Sequence, residues 1–333
     1  MKTTPSYKTI YGKAFRGNSL DLLAELPDAS ISLVMTSPPF ALQRQKEYGN
    51  LDQHAYLDWM MEFGKLVHQK LRADGSFVID LGGAYQKGLP SRSLYNFRLL
   101  IRFVDELGFH LAEDFYWFNP SKLPSPIEWV NKRKMRAKDS VNTIWWFSKT
   151  AWPKADVTRV LTPYSDRMKK LISDPAAFYT PKVRPSGHDI AASFGKDNGG
   201  AIPSNLLSVP NTESNGNYMA GCKFVGAAFH PARFPSKIPA FFIDMLTDPG
   251  DLVVDIFAGS NTTGWAAEQA RRQWLSFELD ASYVAASVFR FLPDDLPDEE
   301  KALIYNQIGL DTNPVDLADF SPAPTLFESA RTA

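Results

Sequence analysis

The chain has 333 residues, 44% of them hydrophobic and 22% charged, with 36 Lys and Arg against 37 Asp and Glu, a formal charge of −1. That length allows a sizeable core and suggests two domains, or one domain with an insertion. A single cysteine excludes a disulfide framework or a cysteine-ligated zinc finger. No apolar run reaches the ~18 residues of a membrane span, and the N-terminus does not read as a signal peptide, so a cytoplasmic location is expected. Near-neutrality argues at first sight against a polyanionic partner.

The leucines at 20, 22, 23 and 26 share one helical face and predict a helix over 18–26, capped by Ser19. Residues 30–36 (SISLVMT) form a short apolar run that stops at two prolines, so a strand followed by a tight loop at 37–40 (SPPF) is expected. An amphipathic helix over 56–71, closed by Asp74 and Gly75, precedes a strand over 76–81 that halts at Gly82 and Gly83. A helix over 94–107 and strands over 109–118 and 140–147 follow. This alternation predicts an α/β fold with a parallel-type sheet and helices on both faces.

From about 150 to 228, Pro, Gly, Asn and Ser dominate and periodicity is lost, as in long segments that are functional or disordered. Regular structure resumes with a helix over 238–247, a strand over 251–257, a helix over 264–270, a strand over 273–279 and a helix over 282–291. The acidic tail beyond Leu292 is expected to be partly mobile. Neutrality conceals an asymmetry along this order. Residues 120–190 carry fourteen Lys and Arg against six Asp and Glu, whereas 291–333 carry two against nine. A partner meets surfaces rather than totals, so the basic middle is either a solvated face or a polyanion site.

Residues 251–264 (DLVVDIFAGSNTTG) join a strand, a small-residue loop and a helix start, the way doubly wound folds present a ligand at a strand's carboxyl end. Asp255, Gly259 and Ser260 are expected to line that crevice. Glu278, about 20 residues further on at the end of the next strand, can accept both hydroxyls of a ribose. Of a dinucleotide fingerprint only Gly259 and Gly264 are present, so a nucleoside cofactor without phosphates, S-adenosylmethionine, suits the loop better. Alone, the segment reads equally as an ordinary βα turn.

The loop at 37–40 should open on the same edge of the sheet, and its residue types suit methyl transfer to an exocyclic amine. Such an amine is a poor nucleophile because its lone pair is delocalised into the ring. Hydrogen bonds from it to Ser37 Oγ and the carbonyl of Pro38 draw the nitrogen toward tetrahedral geometry. Pro38 and Pro39 stiffen the loop, Phe40 can stack on the base, and direct displacement at a sulfonium methyl then depends on alignment. A lone SPPF is otherwise a proline-rich turn with a buried Phe.

Taken together and in this order, 36–43 (TSPPFALQ), 115–122 (FYWFNPSK), 184–190 (RPSGHDI) and 255–264 (DIFAGSNTTG) resemble the β-class amino-methyltransferases, most closely the PvuII-type cytosine-N4-specific DNA methyltransferases, over nearly the whole chain. The resemblance implies a Rossmann-like AdoMet-dependent methyltransferase sheet with circularly permuted motif order and a smaller loop-rich target-recognition region. Residues 1–149 would be the catalytic half, 150–228 the target-recognition region, 229–292 the cofactor half and 293–333 an acidic tail. It also implies that Ser37, Pro38, Pro39 and Phe40 form the catalytic loop, with Asp80 beside the serine and the methyl donor. Asp80 reads equally as a cap on the Gly82–Gly83 turn. Asp255, Phe257, Gly259, Ser260, Asn261 and Thr262 would shape the cofactor pocket, Glu278 would hold the ribose, and 230–235 (HPARFP), Pro235 included, would cradle the methionine end.

Three positions depart from that pattern. Asn261 replaces the second glycine of F-x-G-S-G-T-T, which the turn should survive because Asn enters left-handed backbone readily. Phe234 replaces the lysine of H-P-T-Q-K-P, so no charge at that position meets the cofactor carboxylate. Asn18 stands where an acidic residue often binds the adenine amine, and its amide oxygen can still accept.

The activity implied is methyl transfer from S-adenosylmethionine to N4 of a cytosine flipped out of double-stranded DNA. The site would be a short palindrome, CAGCTG, in a bacterial restriction-modification system whose endonuclease shares the site without binding this chain. The basic, loop-rich middle would hold phosphates and read bases. Serine in the motif favours cytosine N4, while adenine-N6 methylation and a catalytically silent DNA-binding module on the same fold stand as alternatives. Cytosine-C5 chemistry is excluded, since it needs a Pro-Cys nucleophile and the one thiol, Cys222, lacks that setting. Nothing calls for a metal, and Trp117, Trp145 and Trp146 read as core.

Overall fold

The computed structural model describes residues 1, 3–40, 53–86, 88–175, 195–212, 216–310 and 313–320. The segment 184–190, residues 41–43 and the end of the tail lie outside these. Two short strands that periodicity did not reveal, Tyr7–Lys8 (β1) and Gly12–Arg16 (β2), open the chain. Helix Ser19–Ala24 (α1), strand Ile31–Thr36 (β3), helix Gln53–Lys70 (α2), strand Leu71–Leu81 (β4), helix Tyr95–Leu107 (α3) and strands His110–Phe118 (β5) and Val141–Ser148 (β6) follow. Helix Asp166–Ser173 (α4), strand Leu206–Ser208 (β7) and helix Gly216–Val225 (α5) lie in the loop-rich middle. Helix Lys237–Leu246 (α6), strand Leu252–Asp255 (β8), helix Thr262–Gln269 (α7), strand Gln273–Glu278 (β9), helices Ala281–Ser287 (α8) and Asp298–Gly309 (α9) and strand Val315–Asp316 (β10) complete it.

These strands form one sheet in the order β10-β1-β2-β9-β8-β3-β4-β6-β5-β7. Its centre, β2 through β4, is parallel, and β6 and β5 are antiparallel additions beyond β4. β3 is buried at every residue, which explains its unbroken apolar run. On one face Val34, Phe77 and Phe147 meet Met60 and Phe63 of α2 and Leu99 and Phe103 of α3. Residues that alternate with these turn to the other face, where α6 packs on β3 and α7.

Several local expectations change. Asn18, not Ser19, caps α1 by accepting from the Leu20 N–H at 3.0 Å, while Ser19 Oγ donates to the carbonyl of Ile256 at 2.6 Å. Asp74 and Gly75 sit in an irregular stretch of β4, whose pairing with β3 jumps from Leu71 to Ser76, rather than closing a helix. α7 begins at Thr262, two residues early, because Asn261 caps it. The tail contains α9 and β10, which pairs with β1. Trp145 and Trp146 are core, as read.

The loop-rich middle is divided. Residues Asp156–Ser204 form a compact unit of their own, whereas 205–228 belong to the main unit. In the small unit Asp156 caps a short 3-10 turn, Ser165 caps α4, and Thr162 and Ala201 exchange backbone hydrogen bonds. In the main unit β7 pairs with β5. Among the described residues no helix is long and apolar enough to cross a membrane.

Candidate active site

β8 and β3 are adjacent and parallel, with Val253 beside Leu33 and Val254 beside Val34. The loops that leave their carboxyl ends, 256–261 and 37–40, therefore open on the same edge of the sheet. Each next helix is reached from there, so the crevice between them is the switch point at which doubly wound sheets bind ligands. Asp255 fixes the two loops to each other. Its carboxylate accepts from Thr36 Oγ1 at 2.6 Å, Thr263 Oγ1 at 2.6 Å and the Phe257 N–H at 3.0 Å. With 2% exposure it does not line the crevice, as the sequence suggested, but lies beneath it. Burial pushes its pKa up.

Gly259 has φ 51°, and a Cβ there would sit 2.9 Å from the His230 ring, so both backbone and space demand glycine. Asn261 takes the left-handed conformation at φ 56° and ψ 43° that its place in the motif requires. Its amide faces inward. Oδ1 accepts from the Gly264 N–H at 3.1 Å and Ser276 Oγ at 2.5 Å, and Nδ2 donates to Tyr7 Oη at 2.9 Å. Ser260 and Thr262 are also buried, with their hydroxyls 3.3 Å apart. These three side chains thus stiffen the loop from behind, leaving its backbone to face the crevice. Phe257 is half-buried against Trp59 and Phe63.

Glu278, at the end of β9, accepts from the Gly259 N–H at 2.8 Å and the Asp280 N–H at 2.9 Å. Two fixed donors leave further acceptor positions on the carboxylate. Burial raises its pKa against those bonds. Asn18 follows the end of β2, which pairs with β9 at Arg16 and Glu278. Its amide oxygen is engaged in capping α1. This carboxylate and a glycine-built turn fit a nucleoside cofactor.

On the other side of the switch point, Thr36 pairs with Ile79, which sets Ser37 beside Asp80. Ser37 Oγ donates to Asp80 Oδ2 at 3.1 Å, and Asn142 Nδ2 donates to Asp80 Oδ1 at 3.1 Å. Asp80 is 2% exposed, and burial raises its carboxyl to about 6 against those two hydrogen bonds. The Phe40 ring lies over Gly82, where a Cβ would approach within 2.4 Å. Ser37, Phe40 and Asp80 line a cavity of about 280 Å3 together with Trp117, Asn119, Lys122, Asn142 and the 231–234 turn.

Several of these residues escaped the sequence reading. Trp117 reads as core in the sequence but turns an edge to the cavity, held by Nε1 donating to the Val209 carbonyl at 2.8 Å. Asn142 and Lys122 carry no motif. Phe234 supplies no charge, yet Arg233 beside it lines the cavity. Pro235 is buried and does not line it, its carbonyl accepting from the Ile238 N–H at the start of α6. Arg290, also missed, is 7% exposed and clamps the cofactor loop, donating Nε to the Ser260 carbonyl at 2.5 Å and a terminal nitrogen to Ser260 Oγ at 2.9 Å. Its guanidinium lies 4.8 Å from the Tyr218 ring centroid. Cys222 is a buried thiol whose pKa burial raises, the reverse of an activated nucleophile.

A doubly wound sheet with a glycine-built cofactor turn and a Ser-Pro-Pro-Phe loop at one switch point has the architecture of a Rossmann-like methyltransferase. The chain belongs to the N6_N4_Mtase family, described as DNA methylase, whose model matches residues 31–289. It is 66% identical over 315 residues to the Type II methyltransferase M.PvuII of Proteus hauseri, covering 93% of this chain and 94% of that protein. A solved structure described as PvuII DNA methyltransferase (cytosine-N4-specific) superposes with a TM-score of 0.78 at 56% identity, covering 95% of this chain and 98% of the other. A DNA modification methylase from Thermus thermophilus shares the fold, with a TM-score of 0.53 at 19% identity over 91% of this chain and 98% of its own.

Proposed function

We propose that this chain is a site-specific DNA methyltransferase acting on the N4 amine of a flipped-out cytosine in a short palindromic site, CAGCTG, with S-adenosylmethionine as methyl donor. The observation that carries the chemistry is the hydrogen bond from Ser37 to Asp80 at 3.1 Å within the cavity that Phe40 also lines. S-adenosylmethionine, when bound, supplies an electrophilic sulfonium methyl. Glu278 and the turn at Gly259 would hold its nucleoside, and Asn18 its adenine. The cytosine amine donates its protons to Ser37 Oγ and the Pro38 carbonyl, which frees its lone pair. Because Ser37 gives its own proton to Asp80, its lone pairs are left to face the amine. As the nitrogen gains the methyl it becomes acidic. Its proton passes to Ser37 Oγ while the serine proton passes to Asp80, so no charge is stranded. Asn142 keeps Asp80 in position.

Supporting the choice of cytosine are the serine in the motif and the extent of identity with M.PvuII. The Asp156–Ser204 unit, within the basic stretch, would read the target. The surroundings proposed are a bacterial cytoplasm and an endonuclease that shares the site without binding this chain. Expression in an unmethylated host followed by sequencing of modified bases tests base, atom and site together; N6-methyladenine would refute the cytosine assignment. Ser37→Ala should still bind DNA and cofactor but lose about 10²-fold or more in turnover. Full activity in that variant would refute the role of Ser37.

A further inference from the structure

Between β5 and β6 the chain runs out as an arm, residues 119–140, whose two feet are tied by the Asn119 N–H donating to the Ser140 carbonyl at 2.8 Å. Both feet line the cavity with Ser37 and Asp80, and so does Lys122. The next residue, Leu123, is 81% exposed. An aliphatic side chain held in water at the lip of a polar cavity contributes nothing to the core, and burying it elsewhere is favourable.

The backbone that carries it is braced. Lys138 Nζ donates to the carbonyls of Pro120 at 3.0 Å and Lys122 at 3.2 Å, and the Asp139 N–H donates to Ser125 at 2.9 Å. Leu123 is therefore presented by a tethered loop. Behind it the arm is basic: residues 120–140 hold six Lys and Arg against Glu128 and Asp139. Lys132, Lys134 and Arg136 are exposed, with Glu128 offset by Lys132 and Arg133.

Extraction of a cytosine leaves a gap in the stack and an unpaired guanine, at a cost of a few kcal/mol. Apolar wedges between base steps offset such a cost, and basic side chains on the same element hold the flanking phosphates. We propose that Leu123 is the side chain that enters the duplex where the target cytosine leaves it, and that the basic arm behind it grips the adjoining backbone. This inference rests on the base-flipping reaction proposed above.

The test compares Leu123→Ala with the wild-type chain in single-turnover methyl transfer to two duplexes, each with one CAGCTG site. In one the target cytosine faces guanine; in the other it faces an abasic position, so no pairing opposes extraction. Leu123 is exposed, so its loss should leave the fold within about 0.5 kcal/mol of wild type. The variant should be slower by about tenfold or more on the paired duplex and within about twofold of wild type on the abasic one. A fluorescent cytosine analogue at the target should show less extrahelical signal with the variant on the paired duplex. An unchanged rate on the paired duplex, or an equal loss on both, would overturn the proposal. If the wild type itself methylated no cytosine N4 in either duplex, the reaction assignment would fall first and this inference with it.

Discussion

Asp80→Asn separates the contribution of one carboxylate to stability from its contribution to chemistry. Burial lifts the Asp80 carboxyl from an ordinary 3.8 to about 6, and at 1.36 kcal/mol per pH unit the ionised form costs the fold roughly 3 kcal/mol. The folded chain holds this proton more tightly than the unfolded chain. The associated stability is thus fully present below about pH 4 and is lost as pH rises through about 6. Asparagine has the same shape and no charge, so Asp80→Asn should exceed the wild type in stability above about pH 6, by up to that amount, and the two should converge near pH 4.

The same substitution reverses the hydrogen bond to Ser37. A carboxylate oxygen accepts from the hydroxyl, whereas an amide nitrogen in its place donates to it. Ser37 then presents its proton, rather than a lone pair, to the amine, and methyl transfer should fall by about 10²–10⁴. In the wild type, turnover should decline as pH falls through about 6, when Asp80 takes up a proton. Urea denaturation of both proteins across this pH range, with single-turnover transfer of labelled methyl, measures both effects. A stability difference that does not change between about pH 4 and pH 8 would refute the burial argument. Wild-type turnover in the asparagine variant would refute Asp80 as proton acceptor.

Two further substitutions test the cofactor half. Arg290→Met removes both donors to Ser260 while keeping the apolar stem, so two buried oxygens lose their partners. Affinity for S-adenosylmethionine should weaken about tenfold, or 1.4 kcal/mol, by titration calorimetry, and unchanged affinity would show that the clamp does not hold the loop. Asn261→Gly restores the residue usual in the related motif and tolerates φ 56°, yet it deletes the bonds to Gly264, Ser276 and Tyr7. Denaturation should show a loss of about 1–3 kcal/mol; a neutral outcome would mean that backbone conformation alone matters there.

The parts of this protein that were legible in its sequence are those set by local chemistry. Two prolines after an apolar run end β3 and leave Ser37 in a loop; the small residues after Asp255 end β8 and start a helix; 3.6-residue periodicity marks α2 and α3. Motif order in the chain was enough to expect both loops on one sheet edge, since parallel strands present their carboxyl ends together. What periodicity could not reveal is partnership between distant segments. β1 and β2 are too short to show alternation and are strands only because β9 and β10 pair with them.

The roles of carboxylates were likewise decided in three dimensions. Asp255 and Glu278 both stand at strand ends. Asp255 is surrounded by two threonines and a backbone N–H beneath the crevice, while Glu278 is held by two backbone donors at its edge. Asn142 reaches Asp80 from an antiparallel strand 62 positions away, and Arg290 reaches Ser260 from 30. The sequence determined which residue types the chemistry could use, because nucleophilicity and hydrogen-bonding capacity belong to the side chain. Which of them touch, and with what proton affinity, was decided by the tertiary structure, because burial and long-range pairing belong to the fold.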